Sequence, residues 1–290
     1  MDQKSHPLLP IFSLLLAASL WGLFWYPLRY MEAQGLSGAW ASLLMYLGAL
    51  ILALPWLHKS WPDLRAWPVQ MLIVALATGW TNVSFIVAVI DGEVVRVILL
   101  FYLSPLWTVI LGYWLLGERL TPGSILMLVF AIIGAMIVLW DPGMGVPWPR
   151  SVAEWLAISS GMTFALANVK LRSLEHASLS SKTLMSWLGV VLVAGVWVLL
   201  FDARVPVVES SVLWFAGVFG IVIAIVTLSV VYGVSHMPVH RSAVIMLFEI
   251  LVAAVSAQML THEVLQWYEW LGGSLIVVAA LFAAYSHMNE

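Results

Sequence analysis

VVRVILLFYLSPLWTVILGYWLLGE, residues 94–118, and VHRSAVIMLFEILVAAVSAQMLTHE, residues 239–263, decide how this chain is built. Each is an apolar run with arginine at its third position and glutamate at its last, and the second follows the first by 145 residues without a gap. That offset aligns Arg96 with Arg241 and Glu118 with Glu263, and also Ser84 with Ser229, Val94 with Val239 and Leu106 with Leu251. Charged residues make up only 9% of the 290 positions, against about 25% in soluble domains. Two charge matches at the flanks of two apolar runs therefore indicate duplication.

The hydrophobic share is 63%, the net charge is -3 and cysteine is absent. A soluble body of this size needs far more surface charge, and a nucleic-acid binder needs a basic field, so both classes are excluded and no nucleic-acid partner is expected. Disulfide scaffolds, zinc-thiolate sites and cysteine nucleophiles are excluded as well. About 20 apolar residues cross a bilayer as a helix, and ten such runs occur. They are Leu8–Leu28, Leu36–Leu57, Trp67–Ile90, Val97–Gly117, Leu120–Trp140, Val152–Val169, Thr183–Phe201, Ser210–Ser235, Ser242–Thr261 and Trp267–Ser286. Backbone groups in lipid must be satisfied within the segment, so the fold class is an all-α integral membrane protein. The first run is too long for a signal peptide and lacks a cleavage motif, so it is read as a retained helix. Three runs admit a carboxylate: Glu154 and Glu269 near an end, and Glu249 near a centre.

Five helices is an odd number, so the second copy enters the membrane from the opposite face. The expected architecture is ten transmembrane helices as two inverted five-helix repeats, residues 1–146 and 147–290, joined by the Pro/Gly-rich stretch around Gly143 to Pro149. With a cytoplasmic N-terminus, eight Lys and Arg fall inside and four outside, which places both termini in the cytoplasm by the positive-inside rule. Tryptophans at the run ends, such as Trp56, Trp67, Trp140 and Trp267, fit an interfacial belt. Inverted repeats suit alternating access around a midplane site. The reading is therefore a cell (inner) membrane transporter of a small-molecule substrate, with the lipid bilayer as its surroundings. The five-plus-five bundle is complete within one chain, so oligomeric state is open.

Glu249 is the deepest carboxyl. Such a group is costly in hydrocarbon and usually faces a cavity or a partner; it is expected either to rest neutral and release its proton when a cationic amine or water arrives, or to bond a neighbouring helix structurally. Ser104 is its repeat mate, and Pro105 frees the carbonyl of Phe101, making a hinge, part of the site or a static bend. Asn82 and its mate Thr227 are either substrate contacts or helix glue. Trp21, Trp25, Trp80, Tyr102 and Trp107 lie within runs and either line a polar cavity suited to a planar substrate or face lipid. Arg96 and Arg241 begin their helices, where the dipole disfavours a cation; each needs an anionic partner, which for Arg96 is expected to be Glu93, or has a gating role. Glu118 and Glu263 are read as structural, each either capping the following helix or pairing across the bundle. The expected cavity is bordered by helices one, three, four, six, eight and nine.

Phe101 to Thr121, FYLSPLWTVILGYWLLGERLT, resembles the fourth-helix signature of EamA-type drug/metabolite transporters, and Leu247 to Glu263, LFEILVAAVSAQMLTHE, resembles its second-repeat counterpart. Trp21-Gly22 matches that family's first-helix start. The resemblance implies ten helices, cytoplasmic termini and export of small metabolites such as amino acids, and the aromatics within the runs extend that expectation to aromatic ones. Ile250 stands where the family has proline, and His262 where it has glycine, so no proline-made break is expected in the ninth helix. The alternatives are an intramembrane enzyme or a non-transporting membrane protein. His262-Glu263 fails as a zinc motif because Gln266 occupies the second histidine's place, His236 and His240 have Pro238 between them, and there is no P-loop. No metal, no cofactor and no enzymatic activity are expected.

Overall fold

The computed structural model describes residues 9–53, 57–117, 122–140, 148–174, 176–235, 245–261 and 265–286. Among these residues there is no strand. A helix occupies each of the ten apolar runs. In the first half they are α1 (Leu9–Leu23), α2 (Trp25–Ala33), α3 (Gly38–Ala53), α4 (Leu57–Ala66), α5 (Pro68–Asp91), α6 (Val94–Phe101), α7 (Ser104–Leu116) and α8 (Pro122–Val138). The second half has α9 (Val152–Ser173), α10 (Leu179–Phe201), α11 (Ser210–Ser235), α12 (Phe248–Leu260) and α13 (Trp267–Ser286). Among the described residues, six continuous or near-continuous helical stretches are long and apolar enough to cross a membrane: Leu9–Ala33, Pro68–Asp91, Val94–Leu116, Val152–Leu171, Leu179–Phe201 and Ser210–Val230. Shorter apolar helices are Gly38–Ile51, Leu128–Val138 and Phe248–Leu260. The outside carries large apolar side chains, Leu199 and Trp214 among them, because lipid and not water is the solvent there.

Among the described residues three apolar runs show breaks, and local bonding shows how. In the first, the Phe24 N–H turns back to the Trp21 carbonyl at 3.1 Å, separating α1 from α2. In the fourth, Pro105 has no N–H to offer the Phe101 carbonyl, and the Leu103 N–H closes a tight turn on Leu100 at 3.2 Å. In the ninth, α12 starts after Leu247, where the Ile250 N–H bonds the Leu247 carbonyl at 3.1 Å. The ninth-run break thus forms without proline, at the position that the 145-residue offset pairs with Tyr102. Backbone carbonyls at two of these breaks sit against glycines of the other half. A side chain at Gly161 would strike the Phe101 carbonyl, and one at Gly22 would strike that of Glu249. Gly22 of the Trp21-Gly22 pair is required by this approach.

Packing follows small residues, since helices in lipid associate by close contact and not by water exclusion. α1 packs on α11 and α12, while α9 packs on α5 and on α6 and α7. α5 packs on α10, α11 on α3, α3 on α10 and α8 on α13. Exchanging the first five runs for the last five turns this set of pairs into itself. Gly134 and Gly272 meet each other's carbonyls where α8 crosses α13. Gly189 of α10 lies on the Ala75 carbonyl of α5, and Gly220 of α11 lies on the Met45 carbonyl of α3; Gly220 is the repeat mate of Ala75.

Candidate functional site

The broken fourth and ninth runs meet at one polar contact. Tyr102 caps the end of α6, Glu249 lies in the first turn of α12, and the Tyr102 hydroxyl donates to Glu249 Oε2 at 2.9 Å. A carboxyl near the centre of an apolar run thereby has a donor from the opposite half. Gly22 abuts the Glu249 carbonyl, which brings α1 and its Trp21 alongside. One turn on, the Trp25 indole N–H donates to Ser256 Oγ of α12 at 3.1 Å, and the Arg29 guanidinium lies 5.4 Å from the centre of the Trp25 ring. Ser104 is buried beside the break, its carbonyl accepting from the Thr108 hydroxyl. Trp107, partly buried in α7, has an enclosed indole N–H with no acceptor.

The remaining candidates are engaged elsewhere. The Asn82 amide donates to the Thr78 carbonyl at 2.9 Å and accepts from the Tyr46 hydroxyl at 2.5 Å, binding α3 to α5. The Thr227 hydroxyl returns to the Ile223 carbonyl of its own helix at 2.8 Å. Trp80 donates to Ser159 Oγ at 3.1 Å and is 36% exposed. Below it, Thr81, Ser160 and Thr163 form a buried hydroxyl seam between α5 and α9. Glu118, Arg241 and Glu263 lie outside the described residues.

Arg96 does stand in the first turn of its helix, α6, but its described ion pairs differ from the expected one. Its Nε lies 2.6 Å from Glu154 Oε1 and its Nη1 3.5 Å from Glu269 Oε1, both from the second half. Glu93 is instead the residue preceding α6. The reason is burial: Arg96 is only 7% exposed, and the N-termini of α9 and α13 bring carboxylates to it inside the bundle. Glu154 Oε2 accepts the Arg150 N–H at 2.7 Å while the Ser151 hydroxyl caps Glu154 N; Glu269 Oε2 accepts the Gln266 N–H at 2.9 Å. Each glutamate therefore closes its own helix start and still faces the arginine. The Arg96–Glu154 approach is off the N–H axis, so Nε and Nη2 keep no hydrogen-bond acceptor.

Two cavities open beside this network, where α2 and α5 end and α6 and α9 begin. One of about 590 Å³ is lined by Arg29, Glu32, Asp91 and Glu93 among others, and Glu32 Oε2 has no hydrogen-bond partner. The Arg29 guanidinium there donates to the Val89 carbonyl at 3.2 Å and to that of Gly92. The other, about 240 Å³, is lined by Asp91, Glu93, Arg96, Arg150 and Glu154 among others. Sequence reasoning missed this convergence, although the Ser151-x-x-Glu154 capping pattern was visible and marked where Glu154 would point. No group of three or more His, Asp or Glu suited to a metal occurs among the described residues.

Residues 8–140 match the EamA-like transporter family. An uncharacterized transporter of Pseudomonas aeruginosa is 29% identical over 211 residues, covering 68% of this chain and 65% of that protein; the match thus spans just under two thirds of the relative's length. An uncharacterized transporter of Archaeoglobus fulgidus is 25% identical over 214 residues, covering 73% of this chain and 75% of the other. A protein of known crystal structure shares the fold at 16% identity, covering 94% of this chain and 95% of that one with a TM-score of 0.59.

Proposed function

We propose that this chain, a multi-pass membrane transporter of EamA type, carries a small metabolite by alternating access around the Tyr102–Glu249 contact, with the outward direction as its net flux. The observation that carries the reading is that contact itself: two helices, one from each half, break at positions related by the repeat, and the breaks bring a tyrosine hydroxyl to a deep carboxyl. Discontinuous helices at a repeat interface are how transporters expose backbone and side-chain polarity to a solute within the bilayer. Ten spans in two inverted halves, termini in the cytoplasm and placement in the inner membrane complete the proposal. They are supported by the ten helix-bearing apolar runs, by a packing scheme that survives exchange of the halves, and by the excess of basic residues on one side.

At the site, Glu249 holds either a proton or the ammonium of a substrate. A cation arriving at Oε2 takes the place of the Tyr102 donor, and the carboxyl loses its proton in exchange. Trp21, Trp25 and the enclosed indole of Trp107 supply flat apolar walls, so amino acids, aromatic ones included, are the proposed substrates. Asn82, Thr227 and Trp80 act as helix glue in this reading. Uptake of radiolabelled phenylalanine, tryptophan and leucine into proteoliposomes across a range of pH tests it. Glu249→Gln is expected to abolish the pH dependence and most of the uptake while the protein still folds; an unchanged rate and pH profile rejects the role of Glu249.

A further inference from the structure

Two polar contacts outside the site repeat one design at two places in the bundle. Ser178 immediately precedes α10, and its hydroxyl accepts the Ser181 N–H, three residues into the capped turn, at 3.3 Å. The same hydroxyl donates to Asp63 Oδ2 of α4 at 2.8 Å, joined on that oxygen by the Ser178 N–H at 3.0 Å and the Ser181 hydroxyl at 2.6 Å. Ser37 immediately precedes α3, and its hydroxyl accepts the Trp40 N–H, again three residues on, at 3.4 Å. It bonds Asp202 Oδ2 at the end of α10, and the Trp40 indole adds a bond to the Asp202 carbonyl at 3.2 Å. Ser178 follows Ser37 by 141 residues and Asp202 follows Asp63 by 139, close to the repeat offset. In each case the aspartate belongs to the half opposite its serine.

We infer that these two Asp–Ser clamps, one at each end of α10, lock α3, α5, α10 and α11 into a frame that stays fixed during transport, leaving movement to the broken helices. The inference rests on the alternating-access reading and says which part of the bundle does not take part. Both clamps are closed in one and the same conformation, whereas gates that alternate would be closed one at a time. Each clamp also uses the hydroxyl that caps a helix, so opening it uncaps that helix as well. Between the clamps, Gly189 on Ala75 and Gly220 on Met45 leave backbone against backbone, and the Tyr46–Asn82 bond ties α3 to α5 midway. None of the three described breaks falls in these four helices.

The chain has no cysteine, so engineered pairs are its only thiols. Ser37→Cys with Asp202→Cys, and Asp63→Cys with Ser178→Cys, would each be bridged by a short bifunctional methanethiosulfonate in proteoliposomes, and uptake of a radiolabelled amino-acid mixture measured before and after. The fixed frame predicts efficient bridging at both ends with no loss of uptake; loss of uptake on bridging either pair overturns it. Independently of transport, spin labels on Arg65→Cys with Lys182→Cys, and on Gln34→Cys with Val205→Cys, report the two ends without touching the clamp residues. Each pair should give one narrow distance, broadened only at its own end by Asp63→Ala or Asp202→Ala; distributions that ignore these substitutions, or that are double in the intact protein, overturn the frame. An intact protein that moves no label while its clamps respond as stated would sink the choice of substrate and leave the frame standing.

Discussion

Arg96→Met is the substitution whose cost the geometry sets most directly. Arg96, Glu154 and Glu269 are 7%, 8% and 5% exposed, so solvent screens their charges little. Removing the guanidinium leaves two enclosed carboxylates without their countercharge, a situation that costs about 3–5 kcal/mol in buried ion pairs. Both glutamates keep a backbone N–H at 2.7 and 2.9 Å and both sit at helix N-termini, where the dipole favours an anion. The lower end, about 3 kcal/mol, is therefore expected, roughly a hundredfold shift in the folding equilibrium. Unfolding by sodium dodecyl sulfate in mixed micelles, followed by tryptophan fluorescence, measures it. The triple variant Arg96→Met, Glu154→Gln, Glu269→Gln removes all three charges and keeps acceptors for the two backbone N–H groups. It should return to within about 1 kcal/mol of the parent, as replacement of a whole buried charge cluster does. An Arg96→Met protein as stable as the parent, or a triple variant no better than the single, refutes the reasoning.

Gly189→Ala places a methyl group on the Ala75 carbonyl and should destabilise by about 1–3 kcal/mol, the usual cost of overpacking; an unchanged thermal midpoint in detergent counts against the close approach. Tyr46→Phe removes the donor to Asn82 and should cost about 1 kcal/mol, in the range of hydrogen bonds within membranes, with an equal loss in Asn82→Leu and little further loss in the double variant. Asp63 has its carboxyl held below the usual aspartate range, first by the Ser181 hydroxyl, then by the Ser178 N–H and hydroxyl. A depressed pKa in the folded state stabilises above the unfolded value and is lost as pH falls through the folded one. Hydrogen-exchange protection at the start of α10, taken relative to the intrinsic rate at each pH, should therefore hold down through mildly acid pH and fall only below the ordinary aspartate range; a loss of protection that begins near neutrality would contradict it.

Much of the architecture follows from residue order, because in hydrocarbon an apolar run of sufficient length has no choice but to form a helix. The arginine opening the fourth run and the carboxyl near the centre of the ninth were legible, and Pro105 announced the break beside Tyr102. The break at Leu247 was not legible, since Ile250 leaves every N–H in place; it shows only in the tertiary structure, where α1 and α6 pack on the helix that follows it. The partner of Arg96 was assigned to Glu93 because sequence shows near neighbours; the actual carboxylates come from positions 154 and 269.

The amino-acid order by itself determined the solvent this protein folds in and the helical class, since these depend on composition and period alone. The tertiary structure alone decided which polar groups meet. Tyr102 with Glu249, Arg96 with its two glutamates, and each aspartate with a helix-capping serine of the opposite half all come together through crossings of glycine-bearing helices. Those contacts depend on distances between segments remote in sequence, which no local pattern of side chains encodes.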